Sequence, residues 1–288
     1  MDSCALALGT FDGMHKGHVS VIKAARESGF DVIAVTFSVP PKFILSGEKP
    51  ELLMTAEAKE KALAELGVKR CDYLDFDSVC NLSAREFLDS LTKKYPVKMI
   101  SCGFNYRFGK NGEGDTKFLR EYCREKEITV HVARARQVNN EIISSSLLRQ
   151  MIKEGRVSDA NQLLYKPFSF FGPVVHGDAR GRTLGFPTVN QNYPEEQLVM
   201  PKAGVYAGET FVGGKLYHCV TNIGFRPTYA VEKALCETYI IDFDTNLYDT
   251  VFEIRLKRFL RSERKFSSIK ELQEAIAADV EKVREDML

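Results

Sequence analysis

The sequence lacks several features that would place it in other classes of protein. It has no tryptophan, its 40 Lys and Arg residues nearly balance its 39 Asp and Glu residues, and its net charge is +1. That balance gives no basic footprint for nucleic acid or for an anionic membrane. No apolar run approaches the ~18–20 residues that span a bilayer, and the N-terminus begins with a strand-like run, not a signal peptide. We therefore expect a protein with neither a nucleic-acid nor a membrane partner.

Two further absences bear on chemistry and on location. The seven cysteines form no C-x-x-C pair and show no metal-ligand spacing, which is typical of reduced thiols in a cytoplasmic protein. There is no Gly-x-x-x-x-Gly-Lys-Ser/Thr motif, because Gly109-Lys110 is followed by Asn111. A phosphate-binding site in this chain must therefore be built without a P-loop. Any aromatic stacking must use Phe or Tyr, since Trp is absent.

Strand-like and helix-like segments alternate from residue 1 to about residue 166. This alternation predicts an α/β domain with a Rossmann-like, doubly wound parallel sheet, and ligands of such sheets lie at the carboxyl ends of the strands. The predicted strands are Ala5–Leu8, Asp31–Phe37, Cys71–Phe76, Val97–Cys102 and Ile128–Ala133. The predicted helices include Thr55–Leu66, Ser83–Lys93, Asp115–Lys126 and Val157–Leu164.

The pattern changes near residue 167, where we place a domain boundary. Short β-rich runs without intervening helices predict an antiparallel barrel over 167–288. One amphipathic helix closes the chain, with Ser267 as its predicted N-cap. Its predicted apolar face carries Ile269, Leu272, Ile276, Val280 and Val283.

One stretch near the start, Gly9-Thr-Phe-Asp-Gly-Met-His-Lys-Gly-His18, joins a buried strand to a helix. His15 and His18 are three residues apart and face the same side as the helix begins. The free N–H groups and partial positive charge of a helix N-terminus favour an anion there, and Gly17 has no Cβ to keep a ligand from the backbone. Two imidazoles at such a place suit a triphosphate.

The stretch resembles the signature of the nucleotidyltransferase superfamily, and its Gly-Thr-Phe-Asp-Gly prefix resembles the flavin-adenylylating branch. The resemblance implies that His15 and His18 are catalytic and that Gly9, Phe11 and Gly17 contact ATP.

Three more segments fall at loop positions near the same sheet edge. Gly103–Gly109 combines aromatic rings with an amide and a cation; alone it would be an aromatic-anchored loop, and the resemblance implies that its Asn105 and Arg107 bind the flavin nucleotide. Pro40–Phe43 is predicted to be a rigid loop that closes over a ligand. The helix start at 144–149 offers hydroxyls and one cation, which predicts a second phosphate clamp formed by Ser145, Ser146 and Arg149.

The β-rich half carries its own polar cluster. Thr188 and Asn190 alternate on a strand, so both point to one face, where their oxygens can hold Mg²⁺ with its waters. The preceding segment, rich in glycine, is predicted to form a mobile cationic flap with Arg180 and Arg182. From composition alone, Glu237 in its β-run is an ordinary outward-facing carboxylate.

Several motifs of this half resemble riboflavin kinase in order and spacing: Gly185-Phe-Pro-Thr-x-Asn190, Gly204-Val-Tyr206, Asn222–Thr228, Glu237-Thr238 and Phe259-Leu-Arg-x-Glu263. With the first half, the chain resembles the bacterial bifunctional riboflavin kinase/FAD synthetase family. That resemblance implies phosphorylation of riboflavin to FMN by the second half and adenylylation of FMN to FAD by the first. It makes Glu237 the catalytic base, and places Gly177, Arg180, Arg182, Gly185, Pro187 and Asn222 at the ATP of the kinase.

Two alternatives stay open at this point. One is a nucleotidyltransferase for a different acceptor with an unrelated β-domain, and the other is a flavin- or nucleotide-binding sensor without catalysis. The sequence leaves the oligomeric state undecided between a monomer and a weak homo-oligomer. It also departs from the resembled family at Asp249, where a turn glycine is usual.

Overall fold

The computed structural model describes residues 3–175, 181, 184–194, 196–228, 231–245, 247–248 and 250–285, and the side chains of these except 225–228 and 231–233. The chain divides into two compact units, Met1–Leu147 with Leu163–Tyr165, and Leu148–Gln162 with Lys166–Leu288. The predicted functional boundary at residues 166/167 stays a prediction, because this division concerns packing and not activity.

The first unit is built on a parallel five-stranded sheet, which confirms the predicted fold class. The strand order is 3-2-1-4-5, with β1 pairing in parallel to β2 on one side and to β4 on the other. The chain thus winds outwards from the centre in both directions, and the carboxyl ends of β1 and β4 lie beside each other at the switch point. The strands are β1 (Cys4–Leu8), β2 (Asp31–Thr36), β3 (Arg70–Tyr73), β4 (Val97–Gly103) and β5 (Thr129–Ala133).

Helices cover both faces of this sheet, so its strands are apolar throughout. Successive side chains of β1 enter opposite cores: Leu6 packs with Phe87 and Leu88 on one face, and Ala7 packs with Ile22 and Leu63 on the other. The helices are α1 (Lys16–Glu27), α2 (Pro41–Ser46), α3 (Ala56–Glu65), α4 (Phe76–Val79), α5 (Ala84–Lys94) and α6 (Thr116–Glu125).

Local capping chemistry sets three of the predicted helix starts. Thr55 accepts a hydrogen bond from the N–H of Ala58, Asp115 accepts from two N–H groups, and Ser83 forms a capping box with Glu86. These starts confirm the predicted N-terminal ends of α3, α5 and α6.

Other local predictions were wrong. Pro40–Phe43 is not a loop, because a proline at the first turn is compatible with a helix, and α2 begins there with Phe43 buried. The strand predicted over Cys71–Phe76 ends at Tyr73, and α4 starts at Phe76. A two-stranded hairpin, β6 (Gln137–Val138) and β7 (Glu141–Ile142), was missed, although its Asn139-Asn140 turn has the positive φ values that asparagine tolerates.

The second unit contains three helices and a closed antiparallel barrel, and the barrel was predicted for this half. The order of barrel strands is 10-11-12-9-8-13, and β13 pairs with both β8 and β10 to close it. The elements are α7 (Ser145–Lys153, which begins in the first unit), α8 (Val157–Leu163), β8 (Ser169–Val175), β9 (Val189–Asn192), β10 (Gly204–Val212), β11 (Lys215–Thr228), β12 (Val231–Ile240) and β13 (Val251–Arg261).

The C-terminal helix, α9 (Ile269–Glu285), packs on the outer face of the barrel. Val280 and Val283 are buried there against Val205 and Val220. Two predictions about this helix were wrong. Ile269 is 70% exposed because it precedes the part of the helix that touches the barrel. The N-cap is Ser268, whose hydroxyl accepts from the N–H of Glu271.

Candidate active sites

The first polar cluster lies where β1 leads into α1, at the switch point of the sheet. His15 is the N-cap of α1, and its Nδ1 accepts hydrogen bonds from the N–H groups of Gly17 (3.1 Å) and His18 (3.4 Å). These two N–H groups were expected to face an anion. They are instead capped by the imidazole of His15, so in this conformation they are not free to bind an anion.

This hydrogen-bond pattern fixes the chemical state of His15. An Nδ1 that accepts from the backbone carries no proton, so the neutral ring bears its proton on Nε2. Burial lowers the pKa of His15 from 6.5 to about 4, and its exposed fraction is 7%. At neutral pH His15 is therefore a neutral hydrogen-bond donor rather than a cation.

His18 stacks on His15 with ring centroids 3.7 Å apart and an interplanar angle of 19°. Burial, together with the neighbouring His15 and Lys59, holds the pKa of His18 well below its usual value. Its Nδ1 is buried and has no hydrogen-bond partner among the described residues. A buried ring nitrogen without a partner is costly, so this atom is a candidate ligand contact.

The backbone before His15 is held in an unusual conformation. Phe11 (φ 48°) and Met14 (φ 41°) have positive φ angles, which cost non-glycine residues energy and cluster at functional sites. Both side chains are buried, and the Phe11 ring lies edge-on to His18 at 5.5 Å. A Cβ on Gly9 would lie 3.2 Å from the Phe11 ring, so glycine there lets the ring pack against the turn.

Contacts from distant parts of this unit hold the same turn. Asp12 is buried, and its Oδ1 accepts from the N–H of Leu53 at 2.8 Å. The hydroxyl of Ser145 donates to the Asp12 carbonyl oxygen at 2.9 Å. Ser145 therefore fixes the turn from the start of α7, while Ser146 beside it is exposed.

Sequence reasoning missed Lys59, the buried cation of this cluster. Lys59 is 2% exposed, and its Nζ donates to the carbonyl oxygen of Phe37 at 2.9 Å, just past the end of β2. Burial lowers its pKa, and the Asp12 carboxylate opposes that shift. Glu57, Glu60 and Lys61 surround it in α3, so the sequence of this helix resembles an ordinary solvated face and carries no signal for a buried lysine.

The remaining predicted residues of the adenylyl-transfer site do not all lie in the same unit. Asn105 and Arg107 lie in the exposed loop after β4, beside the end of β1, and Arg107 approaches Asp115 at 4.0 Å. Arg149 is buried in the part of α7 that belongs to the second unit.

The second cluster lies in a cavity of about 340 Å³ between the outer face of the barrel and α9. Cross-strand pairing places Asn222 on β11 opposite Glu237 on β12, and Glu237 opposite Asn190 on β9. All three line the cavity, as does Thr188. The register therefore builds one polar row across three strands.

Two acceptors in this row have no hydrogen-bond partner among the described residues. The Oδ1 atoms of Asn190 and Asn222 are buried and accept no hydrogen bond from the described residues. Oxygen ligands of this kind, with the Thr188 hydroxyl beside them, suit a hard cation such as Mg²⁺. No cluster of three or more His, Cys, Asp or Glu that could hold a metal occurs in the described part of the chain, so an ion here would need oxygens of the nucleotide as well.

The C-terminal helix closes one side of the cavity through a buried ion pair. Asp279 on α9 is 1% exposed, and it accepts from Nε and Nη2 of Arg261, both at 2.8 Å. Leu272 and Ile276 of the same helix line the cavity beside Phe186 and Tyr239. One end of the cavity is thus apolar and aromatic, and the other carries the polar row.

The other predicted kinase residues either lie beside the residues that line the cavity or fall outside the described part of the chain. Gly185 (φ 81°) and Pro187 alternate with the lining residues Leu184, Phe186 and Thr188, and both are exposed. Gly177, Arg180, Arg182 and Asp249 fall outside the described residues, as do the side chains of 225–228.

A parallel sheet with a stacked histidine pair at its switch point, followed by a barrel with a polar cavity, points to a nucleotide-dependent transferase with two sites. A family model described as FAD synthetase matches residues 1–147, and one described as riboflavin kinase matches residues 164–287. Bifunctional riboflavin kinase/FMN adenylyltransferases are similar to this chain over most of its length and most of their own. The relative from Listeria monocytogenes is 36% identical over 98% of this chain and 90% of its own, and the one from Bacillus subtilis is 35% identical over 95% and 89%.

The chain belongs to the bifunctional riboflavin kinase/FMN adenylyltransferase family. It is an enzyme that phosphorylates riboflavin to FMN with its C-terminal half and adenylylates FMN to FAD with its N-terminal half. These matches confirm the expected fold, activities and domain order. A crystal structure described as a macrolide-efflux protein from Streptococcus pneumoniae shares the fold, with a TM-score of 0.90 and 30% identity over 98% of this chain and 94% of its own. No helix among the described residues has the length and apolar character needed to cross a membrane.

Proposed function

We propose that Glu237 is the general base of the kinase reaction. Its carboxylate takes the proton of the ribityl 5′-hydroxyl as that oxygen attacks the γ-phosphorus of ATP and the bond to ADP breaks. A neutral hydroxyl is a weak nucleophile, so a base is needed. The observation that carries this proposal is the polar row, which sets Glu237 between Asn222 and Asn190 on the wall of one cavity.

Thr188 and Asn190 are the residues that would hold Mg²⁺ bound with ATP. The buried, unpartnered Oδ1 of Asn190 fits that role, since burial without a ligand leaves it unsatisfied. When bound, Mg²⁺ would offset the negative charge of the ATP phosphates. Asn222, Gly185 and Pro187 border the nucleotide, together with Gly177, Arg180 and Arg182, which lie outside the described residues.

For adenylyl transfer, the chain needs no general base, because the attacking FMN phosphate is already an anion. The site has to align the two phosphates and stabilise the charge that develops on the α-phosphate and on the leaving pyrophosphate. His15 donates from Nε2–H and His18 lies stacked beside it, both uncharged. Uncharged imidazole rings suit a reaction at neutral pH, since neither ring must lose or gain a proton during adenylyl transfer.

The other residues of this site act around that pair. Gly9, Phe11 and Gly17 shape the turn that receives ATP, and Lys59 supplies buried positive charge at the same sheet edge. Ser145, Ser146 and Arg149 serve the β- and γ-phosphates, and Asn105 with Arg107 serves the flavin nucleotide.

We assign the adenylyltransferase to residues 1–166 and the kinase to residues 167–288. Riboflavin, FMN and ATP account for the ligands of both sites, and the +1 net charge supports the absence of a nucleic-acid partner. The seven free thiols support a cytoplasmic location. Monomer and weak homo-oligomer both remain compatible with this assignment.

The test follows two phosphate labels through the products. Riboflavin is incubated with Mg²⁺ and ATP that carries the label on either the γ- or the α-phosphate, and the flavins are separated. We expect γ-label in FMN and FAD, and α-label in FAD alone. FAD without α-label, or FMN without γ-label, would refute the two reactions as written.

A further inference from the structure

Glu263 lies two residues beyond the end of β13 and lines the kinase cavity. Its Oε1 accepts a hydrogen bond from Nδ2 of Asn222 at 3.0 Å. In the described part of the chain this is the one hydrogen bond or ion pair that Glu263 makes. The cations beside it are engaged elsewhere, since Arg261 pairs with Asp279, and Arg264 approaches Glu271 at 3.8 Å.

Strand β11 has room for this carboxylate because residue 224 is glycine. A Cβ on Gly224 would overlap Oε1 of Glu263 and would crowd its Oε2 at 3.0 Å. Glu263 therefore lies flat against the strand that carries Asn222, and any larger residue at 224 would push it away.

A carboxylate in this place determines which way the Asn222 amide faces. An ionised carboxylate only accepts hydrogen bonds, so it takes the NH₂ group of Asn222 and repels its carbonyl oxygen. The Oδ1 atom is then turned away from Glu263, buried and without a partner among the described residues.

We propose that Glu263 is a positioning residue of the kinase reaction, which holds the Asn222 amide so that Oδ1 faces the bound substrates. This inference rests on the proposed place of Asn222 in the kinase site, and it specifies which atom of the amide meets the substrates. Phosphate oxygens of ATP are acceptors, as Oδ1 is, so the partner of Oδ1 is a hydroxyl group or a bound cation. Glu237 lies directly opposite Asn222, and its proposed role as the base brings the ribityl chain to this place. We therefore expect a ribityl hydroxyl to be the donor that Oδ1 meets.

The test uses the full chain with exchanged partners. Glu263→Ala removes the acceptor, and we expect kcat/KM for riboflavin phosphorylation to fall about 10- to 100-fold. Glu263→Gln keeps an oxygen that accepts from Asn222, so the loss should be only about threefold. Asn222→Asp sets two carboxylates against each other and should cost at least as much as Glu263→Ala.

The double variant Asn222→Asp/Glu263→Gln is the decisive member of the set. The glutamine amide introduced at position 263 donates to one oxygen of the new aspartate, and the other aspartate oxygen again faces the cavity as an acceptor. We expect kinase activity at least tenfold above that of Asn222→Asp alone, because the double variant regains one hydrogen bond to a charged group. Glu274→Ala, an exposed glutamate of α9, is the matched control.

Urea unfolding of the same variants reports folding of the barrel, and adenylylation of supplied FMN should stay at the wild-type rate. A rise in KM for riboflavin would identify a ribityl hydroxyl as the partner of Oδ1, and a rise in the Mg²⁺ requirement would identify the cation. The proposal is overturned if Glu263→Ala matches wild type, or if Glu263→Gln is as poor as Glu263→Ala and the double variant shows no recovery. A wild-type chain that does not phosphorylate riboflavin would instead refute the proposed function.

Discussion

Gly17→Ala tests how the histidine pair is built. A Cβ on Gly17 would lie 2.9 Å from Cε1 and 3.0 Å from Nδ1 of His15, well inside ordinary contact distance. The ring must then move, and moving it breaks the two bonds that Nδ1 accepts from the start of α1. It also breaks the stack on His18.

Gly17→Ala has two opposing effects on the free energy of unfolding, but only one effect, a loss, on the rate of FAD synthesis. Alanine in place of glycine stabilises a helix by about 1 kcal/mol, and loss of the His15 cap costs about 1 kcal/mol. The free energy of unfolding should therefore change by less than about 1 kcal/mol. Displacing a transition-state donor costs about 3 kcal/mol, so FAD synthesis should fall about 10²-fold.

The assay measures FAD formed from FMN and ATP, FMN formed from riboflavin in the same preparation, and urea unfolding. Lys23→Ala, at an exposed position two turns along α1, controls for a change of helix propensity. Phosphorylation should be unaffected in both variants. If Gly17→Ala makes FAD at the wild-type rate, the position of His15 does not matter for adenylyl transfer and the reasoning fails.

Three further predictions concern single side chains. Glu237→Gln keeps the shape of the base but cannot take the proton, so riboflavin phosphorylation should fall about 10²–10⁴-fold in kcat, with ATP binding retained by calorimetry; near wild-type turnover would leave Glu237 an ordinary strand carboxylate. His15 has a pKa of about 4 in the folded chain against 6.5 normally, so its contribution to stability is complete above pH 6.5 and is lost as the pH falls towards 4, by about 3 kcal/mol. His15→Asn keeps a capping oxygen without titrating, and its unfolding free energy should depend less on pH in that window; an unchanged pH profile would contradict this. Asp279→Ala leaves Arg261 without its buried partner and should destabilise the barrel unit by about 3 kcal/mol, measured by urea unfolding, whereas a cost below about 0.5 kcal/mol would show that the pair is as weak as a surface pair.

The elements that could be predicted from the sequence are those whose signals are local. Ser83 with Glu86 is a capping box that needs only three residues of context, and it appears as predicted. The apolar run of β1 predicts a strand buried on both faces because both of its faces meet helices. The Gly9–His18 turn follows from strand, glycine and helix signals in one short stretch.

The remainder depends on contacts between residues far apart in the chain. Lys59 is buried because its Nζ reaches the carbonyl of Phe37, and nothing within α3 indicates this. Glu263 meets Asn222 across 41 positions of sequence. The cavity needs α9 to cover the outer face of the barrel, and the helical pattern alone did not tell which end of α9 does so, as the exposed Ile269 shows.

The independence of the two sites is tested most directly by mixing two chains that each lack one of the two activities. His18→Ala should convert riboflavin to FMN and stop there, because only the histidine pair is damaged. Glu237→Gln should make FAD from FMN but fail on riboflavin. Neither chain alone should give FAD from riboflavin and ATP, and an equal mixture of the two should restore its synthesis. A mixture that accumulates FMN without forming FAD, or a His18→Ala chain that loses both activities while remaining folded, would contradict the account.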